Sequence, residues 1–335
     1  MAQPSISPRD LVIHTGQSSN LIADLSRQVE TNRHLLKHWG IDCRPPESLL
    51  PAILRNNWKL WQRQEQRRRW NPWHRKKAVW VSDQSMLSPL LQERRLQRLR
   101  PQLEERGFRL VIMVHLLDGE ELMARDYARA VMALRWGGTF GDFVAKRLQH
   151  HPLRYHVDRL FMPLLERCGA LGVRFVLHTS QTARDPEPSF ETLLDVLRTG
   201  HPVQPLHWLP QHQTSSQASL RQFHLSRLVV QGLGKPPKGA RRQQLVGLIK
   251  KSIEREQTCT NMINHPWAPL VIEQVELPES IAIAQQRLAR KAWGAEWPQK
   301  TLHQREQVSL EGLESLAEAL LRKAPGLDSR RNFSG

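Results

Sequence analysis

Leu11, Val12 and Ile13 run without a polar break into His14-Thr15-Gly16, the pattern of a short strand buried on both faces. Apolar residues then recur at Leu21, Ile22, Leu25, Val29, Leu35, Leu36 and Trp39, a spacing that puts them on one face of a single helix over 21–39. Gly40 closes that helix, and Pro45-Pro46 forbids its resumption. A second helix is expected from Glu47 towards Arg69, ending before Asn71-Pro72. Lys77 to Ser82 predicts a strand. A charged helix follows over 89–106, stopped at Gly107, and Phe108 to Leu116 reads as the strongest strand in the chain. Helices over 120–134, 140–148 and 155–168 precede a strand over 173–179 and a helix over 190–197.

Strands separated by helices of this length imply βαβ crossovers. The fold class read from the pattern is therefore α/β, with a mostly parallel central sheet flanked by helices. Ligands of such sheets bind beyond the carboxyl ends of the strands, which directs attention to residues 14–20, 82–88, 117–125 and 179–188. The pattern divides the chain into a loose arm over 1–9 and an α/β core over 10–200. A Pro/Gln/Ser-rich loop and basic turn follow over 201–242, with 201–222 as the loop. Residues 243–323 form a helical C-terminal part of the same domain, notably 280–292 and 310–323, before a flexible tail over 324–335. No internal repeat is visible.

Composition narrows the class. With 335 residues, 39% of them hydrophobic, the chain has material for one large core or two ordinary ones. The longest apolar run, Leu110 to Leu117, is interrupted by His115 and is far too short to cross a bilayer. No basic region followed by an apolar stretch marks a secretory leader at the N-terminus. Cys43, Cys168 and Cys259 are isolated and odd in number, and no C-x-x-C or Cys/His spacing suggests zinc or a disulfide framework. A reducing, cytoplasmic setting is the expectation. The formal charge of +17, with 49 Lys and Arg against 32 Asp and Glu, favours anionic partners.

That charge gives the first strand a chemical meaning. A strand, a tight turn and a helix start form an anion-binding device, because free backbone N–H groups and the helix dipole converge there. In Gly16-Gln17-Ser18-Ser19-Asn20 the hydroxyls of Ser18 and Ser19 add donors. His14-Thr15-Gly16 opens the unit and Gly40-Ile41-Asp42-Cys43-Arg44-Pro45 closes it. Ser82-Asp83-Gln84 follows the next strand, and Glu120-Glu121 and Tyr127 follow the strong one. "GGTFGDFV" at 137–144 and "SIAIAQQRLARKAWG" at 280–294 come later. Taken in order, these segments resemble the nucleotide-dependent sulfotransferases, in particular the bacterial carbohydrate-type members.

The resemblance implies a P-loop-like sulfotransferase fold and a reaction: transfer of a sulfuryl group from 3′-phosphoadenosine 5′-phosphosulfate to a carbohydrate hydroxyl. It would put Gly16, Ser18 and Ser19 at the donor's phosphosulfate. The family's loop lysine, which stabilises charge on the bridging oxygen, is absent from 16–20. Its 3′-phosphate arginine and serine fall at Leu117 and Arg125. Arg125 could supply the guanidinium from the helix, or it could be a solvated arginine. Its general base, a glutamate in many relatives, falls at Gln84, leaving the neighbouring Asp83 as the carboxylate. These departures open the alternative of a scaffold that binds without turnover.

Three further features come from the residues alone. Trp58, Trp61, Trp70 and Trp73 interleave with basic residues over 58–77, which would suit nucleic acid or an acidic glycan. Two of those tryptophans are equally explained as core anchors of a helix. A non-catalytic basic binding protein is thus the alternative function. The turn at 234–242 carries Lys235, Lys238, Arg241 and Arg242 and faintly matches a phosphate-holding loop, though such turns are common surface features. The histidines show no metal-ligand spacing, while His14 and His115 sit at strand ends, where a proton-transfer role is open to His14.

Overall fold

Five strands form one sheet in the order β2-β3-β1-β4-β5, every neighbour parallel. They are β1 (Arg9–Gly16), β2 (Ile41–Asp42), β3 (Ala78–Ser82), β4 (Phe108–Leu117) and β5 (Val173–His178). This computed structural model describes residues 9–17, 19–43, 78–169, 172–178, 216–259, 278–297 and 311–323. Alternate residues of each strand enter opposite layers. Leu11, Ile13, Val79, Val81, Ile112 and Val114 pack into one core, and Val12, Trp80, Val111 and Met113 into another. Burial on both faces is why these strands read as unbroken apolar runs.

The second of those cores lies under α1 (Ser19–Thr31) and α2 (Arg33–His38), through Leu25, Val29 and Leu36. Sequence spacing predicted one helix here. The structure breaks it at Asn32, whose buried side-chain amide donates to the Gln28 carbonyl at 3.0 Å. A side chain that competes for a backbone carbonyl is a known cause of helix interruption. Gly40 closes the pair at φ 84°, as expected for a residue in left-handed conformation after a helix.

The opposite face is covered by α3 (Leu87–Leu91), α4 (Glu93–Glu104), α8 (Val157–Cys168) and α11 (Glu279–Trp293). The charged helix expected over 89–106 is thus two helices, parted at the extended Gln92. Likewise Tyr155 belongs not to α8 but to the short α7 (Pro152–Tyr155). At the amino end of the sheet Asp10 and Arg109, register partners on β1 and β4, form a two-pronged ion pair at 2.8 and 2.8 Å.

The chain divides into two compact units. The sheet unit is drawn from Met1–Asp118, His156–Gln211 and Glu279–Gln299. The second is helical among its described residues: α5 (Gly119–Met132), α6 (Phe140–His150), α7, α9 (Ser216–Leu233), α10 (Gly239–Cys259) and α12 (Leu313–Lys323). Leu225, Val229 and Ile249 meet Leu313 and Leu320 in its core. Composition predicted a loop over 201–222, yet α9 starts at Ser216. The reason is that Phe223, Leu225, Val229 and Val230 supply a buried stripe that the preceding polar residues conceal. The basic turn at 234–242 is also partly helical, since α10 begins at Gly239. The helix expected over 47–69, the helix over 190–197, the arm over 1–8 and the tail over 324–335 lie outside the described residues. No described helix is long and apolar enough to cross a membrane.

Candidate functional site

β1 is where the strand order reverses: β3 and β2 lie on one side of it, β4 and β5 on the other. In a parallel α/β sheet such a reversal opens a crevice at the carboxyl ends of the strands. Gly16 ends β1 against β4. A Cβ there would fall 2.6 Å from the His115 carbonyl oxygen and 2.8 Å from the His115 Cβ, so glycine alone allows this approach. The next residue fastens the two strand ends together. Gln17 N–H donates to the His115 carbonyl at 3.0 Å, and its Oε1 accepts from Leu117 N–H at 3.0 Å. Only Gln17 and Ser18 separate β1 from α1. The first turn of α1 carries no acidic side chain to neutralise the positive end of its dipole.

His14 holds the same helix to the sheet. Its ring is fully buried, stacked on Trp80 at 4.7 Å and edge-on to His115 at 4.6 Å. Nδ1 lies 2.7 Å from Ser82 Oγ, which lies 2.6 Å from Ser26 Oγ on α1, and Ser26 donates to the Ile22 carbonyl at 2.7 Å. A hydroxyl has one proton to give. Ser26 gives its proton to Ile22, so Ser82 gives its own to Ser26 and accepts from His14. That order places a proton on Nδ1. The ring therefore lies in the core beneath α1, where it ties β1, β3 and α1 together.

Asp83 follows β3 directly, and its N–H donates to the His14 carbonyl at 3.0 Å. Its carboxylate Oδ1 accepts from Ser85 N–H at 2.6 Å, capping the single 3₁₀ turn Gln84–Met86. Thr15 Oγ1 donates to the Gln84 carbonyl at 3.4 Å. His14, Gly16 and Asp83 are thus brought together at neighbouring strand ends, and Ser19 opens α1 beside them. Ser18 lies outside the described residues, as do the interleaved tryptophans and arginines of 58–77.

Arg125 belongs to the second unit. On α5 its guanidinium pairs with Glu121, and the two side chains are only 13% and 8% exposed. It is not a solvated arginine, and it already has a carboxylate partner. Leu117 ends β4 and Asp118 follows it, so this position brings a carboxylate and no cation; Asp118 accepts from Gln285 Nε2 at 3.2 Å. Among the described residues no three His, Cys, Asp or Glu side chains gather as metal ligands.

Sequence reasoning missed Gln17, Ser26, Ser82 and Trp80 as parts of this arrangement. Ser26 carried a signal, since it sits on the apolar stripe of Ile22, Leu25 and Val29 and a polar group there must find a buried partner. Gln17 carried none, because its bond to Leu117 crosses 100 residues of sequence. No protein-family model, curated protein or solved structure matches the chain.

Proposed function

We propose that the sheet unit is a sulfotransferase-type nucleotide-binding protein that takes the 5′-phosphosulfate of 3′-phosphoadenosine 5′-phosphosulfate at the start of α1. The observation that carries this reading is the acid-free N-terminus of α1, pinned at the strand-order reversal by Gly16 and Gln17. Tetrahedral oxyanions bind such helix starts through backbone N–H groups and the dipole. The donor's 5′ anion fits this end of the sheet. Its 3′-phosphate has weaker support, because Leu117 and Asp118 stand at the end of β4 and Arg125 is already paired with Glu121.

In the proposed reaction a carbohydrate hydroxyl oxygen attacks sulfur. The bond from sulfur to the bridging oxygen breaks, the hydroxyl proton passes to the Asp83 carboxylate, and 3′-phosphoadenosine 5′-phosphate leaves. His14 is a positioning residue that fixes α1 through Ser82 and Ser26. With no lysine in residues 16–20, the charge growing on the bridging oxygen meets backbone dipoles and the Ser18 and Ser19 hydroxyls but no loop cation, so transfer is slow or absent and binding is the stronger activity. The second reading, a non-catalytic binder of nucleic acid or acidic glycan, draws on the +17 charge.

Restoring the cation tests the proposal. Radiolabelled sulfuryl transfer to a panel of oligosaccharides should rise about a hundredfold in Ser18→Lys, the scale of one well-placed electrostatic contact, and vanish in Ser18→Lys/Asp83→Asn. Absence of transfer in both the natural chain and Ser18→Lys would overturn the catalytic half of the reading.

A further inference from the structure

The helical unit contains a cleft of about 490 Å³ between one face of α5 and one face of α6, a size suited to a small molecule. Arg129 and Arg135 line it from α5 and the turn after it. Lys146, Arg147, His150 and His151 line it from α6 and its C-terminal end. Among the described residues, the carboxylate in the wall is that of Asp126. Its charge is taken up from elsewhere: Arg154 donates to it twice, at 2.6 and 2.9 Å, and the Tyr155 hydroxyl donates at 2.9 Å. Burial first, and then the charge of Asp126, raise the Tyr155 phenol well above its ordinary value, so it stays a donor.

The cations are also held in place. Lys146 Nζ lies 5.2 Å over the Trp136 ring and the Arg147 guanidinium 5.0 Å over Phe143. Trp136 is itself fixed, its indole N–H donating to the Thr139 carbonyl at 3.2 Å. Thr139 and Asp142 close a reciprocal cap that anchors the start of α6. Side chains already ordered lose less freedom when a ligand arrives. Basic residues in the last turns of α5 and α6, Arg129 among them, do answer the helix dipoles, but that accounts neither for Arg135 and Lys146 nor for the aromatic supports.

We infer that this cleft is a binding site for a compact polyanion, a small ligand bearing two or more phosphate or sulfate groups. The inference is independent of the strand-end site. Two probes separate the sources of such groups: a fully sulfated heparin-derived disaccharide and inorganic pyrophosphate. Titration calorimetry on the full chain reads the affinity of each. The variant Lys146→Gln/Arg147→Gln removes two cleft charges, while Lys250→Gln/Lys251→Gln removes two from the exposed side of α10 as a charge-matched control.

The cleft variant should weaken at least one probe by about tenfold or more, the effect of losing charge-assisted bonds. The control should bind as the natural chain does, and so should Ser18→Ala/Ser19→Ala, which removes hydroxyls of the strand-end loop only. Thermal unfolding checks that each variant is folded. A preference for the disaccharide marks a sulfated-sugar site and one for pyrophosphate a phosphate site. Equal weakening in the control, equal weakening in the loop variant, or no binding of either probe at about 1 mM would overturn the inference.

Discussion

At the scale of single residues, the strand-end site is organised by polar groups that the core could not leave unsatisfied. The run His14, Ser82, Ser26 and the Ile22 carbonyl is one directed chain of hydrogen bonds, and each member depends on its neighbour. Ser82→Ala should therefore cost about 1–3 kcal/mol, the penalty of stranding buried donors and acceptors, and chemical denaturation would measure it. His224 supplies a second test. Burial and then the nearby Arg227 charge lower its pKa from 6.5, so the native state resists the proton that the unfolded chain accepts. Its contribution to stability is complete above the unfolded value and is lost as pH falls through the lower folded one. The thermal midpoint should fall between about pH 7 and 5, and His224→Gln should flatten that fall. The sequence pointed to His14 and Gly16 by residue type and order, and to Asp83 only through the resemblance. It could not reveal the direction of the His14 ring, which is settled by Trp80 and Ser82, 66 and 68 positions away in a chain whose register only folding fixes.

Elements were legible where local pattern and packing agree. The longer strands are visible as apolar runs, and in β1, β3 and β4 burial on both faces is the reason, whereas the edge strand β5 keeps the exposed Arg174 within its run. Helix ends with a chemical marker, such as Gly40, were legible too. Breaks within helices were not: Asn32 and Gln92 interrupt apolar periodicity that continues on both sides. The start of α9 was hidden by a polar stretch, and the helix packs with α12 farther along, through Leu225 and Val229. That packing is testable, since Leu320 is 4% exposed and lies among Leu225, Val229 and Ile249. Leu320→Ala should cost about 2–5 kcal/mol, the range for emptying a buried leucine site. Limited proteolysis should then cut first within α9, α10 and α12 and leave the sheet unit until later.

For the whole molecule, the strand order marks a candidate site independently of the side chains. A parallel sheet whose order reverses at β1 presents a crevice there whatever its side chains, and Gly16 and Gln17 set α1 at its edge. Chain order cannot disclose the division into two units, because each is assembled from three separate stretches. The central claim is that the crevice holds a nucleotide's 5′ anion. Calorimetric titration of the full chain with 3′-phosphoadenosine 5′-phosphate tests it most directly, with Ser18→Ala/Ser19→Ala as the comparison. In the Lys146→Gln/Arg147→Gln background, which removes the cleft's own share of this bisphosphate's binding, the account predicts one saturable site with a Kd on the order of 10 μM, weakened when Ser18→Ala/Ser19→Ala is added. Absence of binding at about 1 mM nucleotide, or binding that ignores the loop serines, would contradict it.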